Sequence, residues 1–412
     1  MRKSLLALAA TGLAFALTAC GSPSTTNSST SDGDGASSPA GAASSLTIWA
    51  DEKRVDSFKA LGESFQKTTG VALEVVQKPT QDVKTDFISQ APSGAGPDLI
   101  VGAHDWMGDL VSNGVVAPVE LGDKASGLSE AARKGFTSDG VLYGVPYSVD
   151  NLGLVRNNKL AQETPATFDE LVAQGKQLTP GFPVLVQQGD KGDPFHLYPI
   201  QSSFGATVFK TDDKGEYTTE LGMKGEAGER FADYLKKLAD EGVLSDSIGG
   251  DQAKQAFLEG KSAYIVTGPW WTTEFTAAGI DISVLPIPSA GGEPSAPFTS
   301  VQGVYLSSQS KNMLLANQFL EYLASPEAQK ALYEKDSRLP ALTSVASSVD
   351  DPVLKGFQEA AAHSQPMPAI PAMGAVWEFW GNDELKILNG ANPATTWREM
   401  ITNIEGAIAK KK

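Results

Sequence analysis

The chain has 412 residues, 41% of them apolar, and a formal charge of −16. That length allows two domains, and such acidity without a basic stripe excludes nucleic acid as a partner. Its single cysteine, Cys20, excludes an intrachain disulfide, a cysteine-based zinc site and a cysteine nucleophile.

Arg2 and Lys3 precede an apolar run over residues 5–16, which has signal-peptide length and is short for a bilayer span. The run ends in Leu17-Thr18-Ala19-Cys20, which resembles a bacterial lipobox. Residues 1–19 are therefore expected to be a lipoprotein signal peptide, and Cys20 the lipidated residue. Two or more acyl chains there would anchor the mature chain stably. Residues 20–45 are almost all small or polar, cannot bury a core, and read as a flexible tether. No later segment has the length of a transmembrane helix, so membrane contact is expected through the lipid alone.

Folding is expected to begin at Leu46-Thr47-Ile48-Trp49, a strand followed by the charged loop Asp51-Glu52-Lys53-Arg54. Val55, Phe58, Leu61 and Phe65 form a helical stripe closed by Gly70, and residues 71–76 read as the next strand. Leu99-Ile100-Val101 is then a short buried strand, broken at Gly102 and followed by a helix over 106–113 that Gly114 ends. This alternation predicts a parallel, doubly wound sheet, with Ala103-His104-Asp105-Trp106 at its carboxyl edge, where open α/β folds bind ligands. An acid beside an indole suits a ligand with both hydroxyls and an apolar face. Asp105 as a mere helix cap and Trp106 as mere packing is the competing reading of the same stretch.

Three passages between two halves are expected, near residues 147–151, across 298–305 and near Asp351-Pro352. They divide the chain into lobe I (46–149 and 303–350) and lobe II (150–302 and 351–412). Helices are predicted over 167–177, 226–241, 317–324 and 396–409, and Ser325-Pro326-Glu327 has the form of a capped helix start. Strand-like runs lie at 184–186 and 263–266, and a turn at 211–215.

Enzyme signatures are thin. The histidines, His104, His196 and His363, are scattered and give no metal motif. The Gly260-Lys261-Ser262 triplet lacks the first P-loop glycine, and Ser64-Phe65-Gln66-Lys67 lies on a helix without its companion motif. What recurs is an aromatic beside a polar or acidic residue at expected strand ends. These are Trp49 with Asp51 and Glu52, Asp105 with Trp106, Asp193-Pro194-Phe195-His196, Gly268-Pro269-Trp270-Trp271, and Trp377-Glu378. Pyranose C–H faces stack on aromatic rings while their hydroxyls pair with charged and amide groups, so a groove of this composition suits a sugar. Core packing is the alternative for each tryptophan taken alone.

From about Leu46 onward the chain resembles the extracellular solute-binding proteins of ABC sugar importers, nearest to the maltose/maltodextrin-binding group. The matching stretches are 46–51, 96–108, 143–154, Phe257-Leu258-Glu259-Gly260-Lys261 with Gly268-Pro269-Trp270, and Met367-Pro368-Ala369-Ile370-Pro371 leading to Trp377. The resemblance implies an α/β, two-lobed periplasmic-binding-protein fold, each lobe a doubly wound, mainly parallel sheet, with ligand in the cleft between them. It implies a non-enzymatic receptor that closes about a hinge and delivers maltose or maltodextrin to the transmembrane subunits of an ABC permease. The receptor would be a monomer without cofactor or metal, lipid-anchored on the outer face of the cell membrane. Alternatives are another sugar such as trehalose, or a surface-anchored glycoside hydrolase.

Residue by residue, the resemblance makes Asp105, Asp150 and Asp193 carboxylate ligands of sugar hydroxyls. Phe195, Trp270 and Trp377 would stack on pyranose faces, with Trp271 beside them. Asp51, Glu52, Lys53 and Arg54 would add charged donors and acceptors. Three departures stand out: Gly102 where the maltose binders carry a stacking Trp, Trp106 where they carry Arg, and Gly381 where the pattern has Arg. An indole is therefore expected to have moved by four positions, and Trp106 becomes a candidate for selecting the sugar.

Overall fold

Alternating apolar residues from Leu46 onward form the strand Ser45–Asp51, and the stripe after it becomes the helix Val55–Thr69. That helix buries Val55, Phe58, Leu61 and Phe65 and stops at Gly70, whose φ of 78° suits a residue without a Cβ. The computed structural model describes residues 45–213 and 215–410. The expected signal peptide, Cys20 and the tether up to residue 44 lie outside the described residues.

Two sheets organise the body. The first runs in the order Leu339–Pro340, Gly144–Asp150, Phe298–Leu306, Leu99–Ala103, Ser45–Asp51, Ala72–Lys78, with Gln365–Pro366 pairing beside Phe298–Leu306. The second runs Ile282–Leu285, Gly153–Asn157, Tyr264–Thr267, Leu185–Val186. Parallel pairing joins Ser45–Asp51 to both its neighbours, Tyr264–Thr267 to Leu185–Val186, and Gln365–Pro366 to Phe298–Leu306. The rest is antiparallel, so each sheet is mixed and the expectation of mainly parallel sheets is corrected. The cause is the path of the chain. Gly144–Asp150 carries the chain out of the first sheet and Phe298–Leu306 brings it back, so the two lie side by side in opposite directions. Only strands joined by a helical crossover within one sheet must run parallel.

Asn151 and Leu152 are all that separates the outgoing strand from Gly153–Asn157 in the second sheet. Buried Asn151 donates from Nδ2 to the carbonyls of Leu152 and Phe357, both at 3.0 Å. Phe357 belongs to the helix Pro352–Ala360, which packs on the second sheet, so one amide ties two passages of the chain together.

Each sheet has its own apolar core. Around the first, Phe65 meets Phe319 edge-on at 5.2 Å and Phe58 meets Tyr147 at 5.4 Å. Around the second, the helices Glu226–Asp240, Trp377–Leu388 and Pro393–Lys410 enclose Trp380 and Trp397, both fully buried. The helix expected over 106–113 is shorter: a single 3₁₀ turn, His104–Trp106, feeds the helix Met107–Ser112. Ala103 stands at the start of that turn, so no side chain caps it, and the cap reading of Asp105 is corrected.

Candidate functional site

The loop after the first strand divides between scaffold and cleft. Buried Asp51 accepts from the Lys53 backbone N–H at 3.0 Å and forms an ion pair with Arg54. Arg54 also donates to Gln302 Oε1 at 2.6 Å. Burial works against the Arg54 charge, but Asp51, Asp150 and Asp336 around it hold its pKa above the ordinary range. Exposed Glu52 turns away to the Thr80 backbone N–H at 3.1 Å and hydroxyl at 2.7 Å. Lys53 alone reaches toward the second lobe, its Nζ 5.5 Å from the Trp270 ring centre and 6.0 Å from that of Trp271.

At the end of Leu99–Ala103 the Trp106 indole lies directly over Gly102. A Cβ built on Gly102 would stand 2.4 Å from the Trp106 ring, so this glycine makes room for that indole. Buried His104 accepts from the Val301 N–H at Nδ1 (3.1 Å), which leaves its proton on Nε2 to donate to the Met367 carbonyl at 2.9 Å. Burial pushes its pKa down to about 4, against the Met367 bond, so it stays neutral and pins the loop. Asp105 is buried and accepts from Trp377 Nε1 at 3.1 Å. Burial pushes its carboxyl up to about 6, against the pull of Lys84 and Trp377.

On the second lobe, Asp193 caps the helix Pro194–Ser202. Its Oδ1 accepts from the His196 backbone N–H (3.1 Å) and ring Nδ1 (2.8 Å), and its Oδ2 from Gln187 Nε2. Burial opposes its charge, yet His196, Gln187 and Lys53 together hold its pKa below the ordinary carboxylate range. The Phe195 ring is half-buried and stacks 6.3 Å from Phe298.

Trp270 is the meeting point. Its half-buried ring lies over Gly268, where a Cβ would come within 2.0 Å of it. The His196 ring approaches edge-on at 5.9 Å, and Lys53 and Arg338 place cations 5.5 and 5.4 Å from its centre. Trp271, by contrast, packs among Phe257, Phe275 and other buried groups of the second lobe and is 6% exposed. Trp377 stacks on Trp380 at 5.5 Å while its N–H reaches Asp105. Asp150 forms a buried ion pair with Arg338 at 2.7 Å. Gly381 is covered by the Lys191 carbonyl, 2.4 Å from where a Cβ would lie, so the loop before Asp193 occupies the room an arginine would need.

The structure thus joins the candidates in two separate contacts, Lys53 with Trp270 and Asp105 with Trp377, while Asp150 pairs with Arg338, Trp106 covers Gly102, and Phe195 packs against His196 and Phe298. It leaves Glu52 on the surface, Asp51 and Arg54 as internal scaffold, and Trp271 and Trp49 in apolar clusters. Arg338 and Gln187 were not anticipated, because nothing in their local sequence marks them, and His196 was named only beside Phe195 and as a histidine without a metal motif. Among the described residues no group of three or more His, Cys, Asp or Glu could hold a metal ion, and no helix is long and apolar enough to cross a membrane.

The sequence pattern of bacterial extracellular solute-binding proteins matches residues 60–362. The chain is 28% identical over 398 residues to the maltodextrin-binding protein MdxE of Bacillus subtilis, covering 92% of this chain and 90% of that one. It is 27% identical over 384 residues to the galactooligosaccharide-binding protein of the same organism, with 89% and 87% covered. The solved structure of the Thermus thermophilus maltotriose binding protein bound with maltotriose is similar at a TM-score of 0.82 and 31% identity, over 88% of this chain and 100% of that one. With two lobes, a mixed sheet in each and aromatic and acidic side chains meeting between them, the chain belongs to the family of bacterial extracellular solute-binding proteins.

Proposed function

We propose that this chain is the substrate-binding component of an ABC importer, which captures a maltodextrin between its lobes and presents the loaded form to the permease. The observation that carries this reading is the contact across the cleft. An indole of the second lobe donates to a carboxylate of the first (Trp377 to Asp105), while two cations lie over Trp270. Pyranose rings offer C–H faces to such indoles and hydroxyls to such charged groups. A ligand touching both lobes favours their closure, which is the differential contact a hinge motion requires. The relatives that bind maltodextrin and maltotriose support this sugar class.

The sugar-facing set would be Lys53, Asp105, Trp270 and Trp377, flanked by Trp106, Asp150, Asp193 and Phe195. The receptor works as a monomer without cofactor or catalysis. The lipobox-like sequence supports an anchor at Cys20 on the outer face of the cell membrane.

Thermal unfolding with maltose, maltotriose, trehalose, sucrose, glucose and a galactooligosaccharide tests the reading, because a ligand of the native state raises the midpoint. Maltotriose should raise it. No rise with any α-glucoside overturns the maltodextrin reading, and a rise with the galactooligosaccharide alone moves the ligand to that class. Maltotriose should also be recovered intact after prolonged incubation; release of shorter sugars would make the chain a glycoside hydrolase.

A further inference from the structure

Three consecutive residues at the end of the helix Pro326–Asp336 each reach a different part of the molecule. Asp336 accepts at Oδ1 from the Ser57 hydroxyl in the first turn of Val55–Thr69, and it lies within the fields of Arg338 and Arg54. The Ser337 hydroxyl meets that of Thr273 at 2.5 Å, and Thr273 lies on the helix Thr272–Ala277 of the second lobe. Arg338 pairs with Asp150 at 2.7 Å and lays its guanidinium 5.4 Å from the centre of the Trp270 ring. Leu339 and Pro340 then join the edge of the first sheet beside Gly144–Asp150. The bonds to Ser57 and Asp150 hold this turn on the first sheet, while the contacts of Ser337 and Arg338 with Thr273 and Trp270 cross to the second lobe.

Ser337 is the telling residue. Among the described residues only it and Asp139 take a positive φ without being glycine. It ends its helix at φ 52°, with its N–H on the Tyr333 carbonyl, a conformation that glycine adopts without steric cost and usually supplies at this place. A serine adds only its hydroxymethyl group, and that hydroxyl is the one that meets Thr273. Arg338 likewise has its charge answered by Asp150, yet its planar group also covers an indole carried by the other lobe. We infer that Asp336-Ser337-Arg338 is a latch between the lobes: Asp336 braces the turn, Ser337 and Arg338 hold the second lobe, and together they set how much of the empty chain is closed. A receptor binds more tightly the more of it already stands in the competent form, so the latch also sets sugar affinity. Its effect on affinity rests on the receptor reading; its effect on closure does not. One hydrogen bond between hydroxyls and one cation–π contact bias such an equilibrium by small factors. A ligand touching both lobes therefore still decides between open and closed.

Small-angle scattering without sugar and calorimetric titration with maltotriose test this on the full chain, on Ser337→Gly, on Thr273→Val and on the double variant. Ser337→Gly suits the backbone and removes only the hydroxymethyl group, while Thr273→Val keeps the shape and removes the partner hydroxyl. All three variants should show a larger radius of gyration than the parent without sugar and converge with it at saturation. They should bind maltotriose roughly 2- to 10-fold more weakly, the loss expected for one hydrogen bond. Both single variants lose the same bond, so the double variant should lose no more than either. Equal radii without sugar overturn the latch, as do losses that add in the double variant, since those report two independent defects. Arg338→Lys keeps a cation for Asp150 without the planar group over the indole and should enlarge the empty chain in the same way; an unchanged radius removes Arg338 from the latch. If the parent binds no sugar the receptor reading falls, and the radii alone decide the latch.

Discussion

Gly102 and Trp106 behave as one packing unit, because the space a methyl group would take on the first is filled by the ring of the second. Gly102→Ala should therefore lower stability by about 1–3 kcal/mol through overpacking, and most of that loss should disappear in a Trp106→Ala background. A denaturation double-mutant cycle measures this coupling, and additive effects would refute it. The exchange of aromatic and small residue was legible only through the family resemblance, which sets Gly102 where the maltose binders carry a Trp. Asp105 was legible as a candidate too, but its partner Trp377 stands 272 positions away, which no spacing rule reaches. Its protonation has a stability consequence. Folding raises its pKa from 3.8 to about 6, so the folded chain holds this proton more tightly than the unfolded one. The contribution is complete below the unfolded value and is lost as pH rises through the folded one, a span of about 3 kcal/mol. Asp105→Asn keeps an oxygen for Trp377 and has no such titration. The parent's stability relative to this variant should fall by that amount between pH values of about 4 and 7; a pH-independent difference would contradict it.

At the scale of elements, the same local grammar appears four times among the described residues. Ser325, Asp193 and Asp351 each precede a proline and accept from a backbone N–H inside the helix that follows. The fourth is Asn392, which precedes Pro393 and accepts from the Thr395 N–H at 3.0 Å. Of these only Ser325 was read as a cap from the sequence, although each cap needs only neighbours in the chain. Ser325→Ala should cost about 1 kcal/mol, seen as a lower unfolding midpoint, and Ser325→Asp should restore most of it. Asp193 shows the limit of that reading. The carboxylate taken for a sugar ligand is first a helix cap, and its charge is shared with His196 and Gln187. Strand direction was the other blind spot. Residues 144–150 and 298–306 announce strands by their apolar content, but whether a strand leaves or re-enters a sheet depends on where the chain goes next. Trp271 and Trp377 illustrate the matching difficulty for aromatics, since both follow strong turn signals and only one leaves the core.

For the whole molecule, two sheets with separate cores are joined by passages that Asn151 ties together, and the proposed closure of the two lobes would turn about that junction. The contacts that oppose their separation include Lys53 and Arg338 over Trp270. An exposed cation–π contact is worth about 0.5–1 kcal/mol, which corresponds to a two- to fivefold bias in a two-state equilibrium. Lys53→Met should therefore give a larger radius of gyration than the parent in small-angle scattering without sugar, with the two chains converging when sugar saturates both. Equal radii without sugar would remove Lys53 from the closure balance.

The hydrogen bond from Trp377 to Asp105 has an optical meaning as well. Parting the lobes exchanges a carboxylate for water at the indole nitrogen while the stack on Trp380 stays within one lobe. Trp380 and Trp397, sealed in the second core, supply a steady background emission. Under the proposed closure, tryptophan emission should therefore shift without any added dye as ligand arrives, and emission unchanged at saturating maltotriose would refute it.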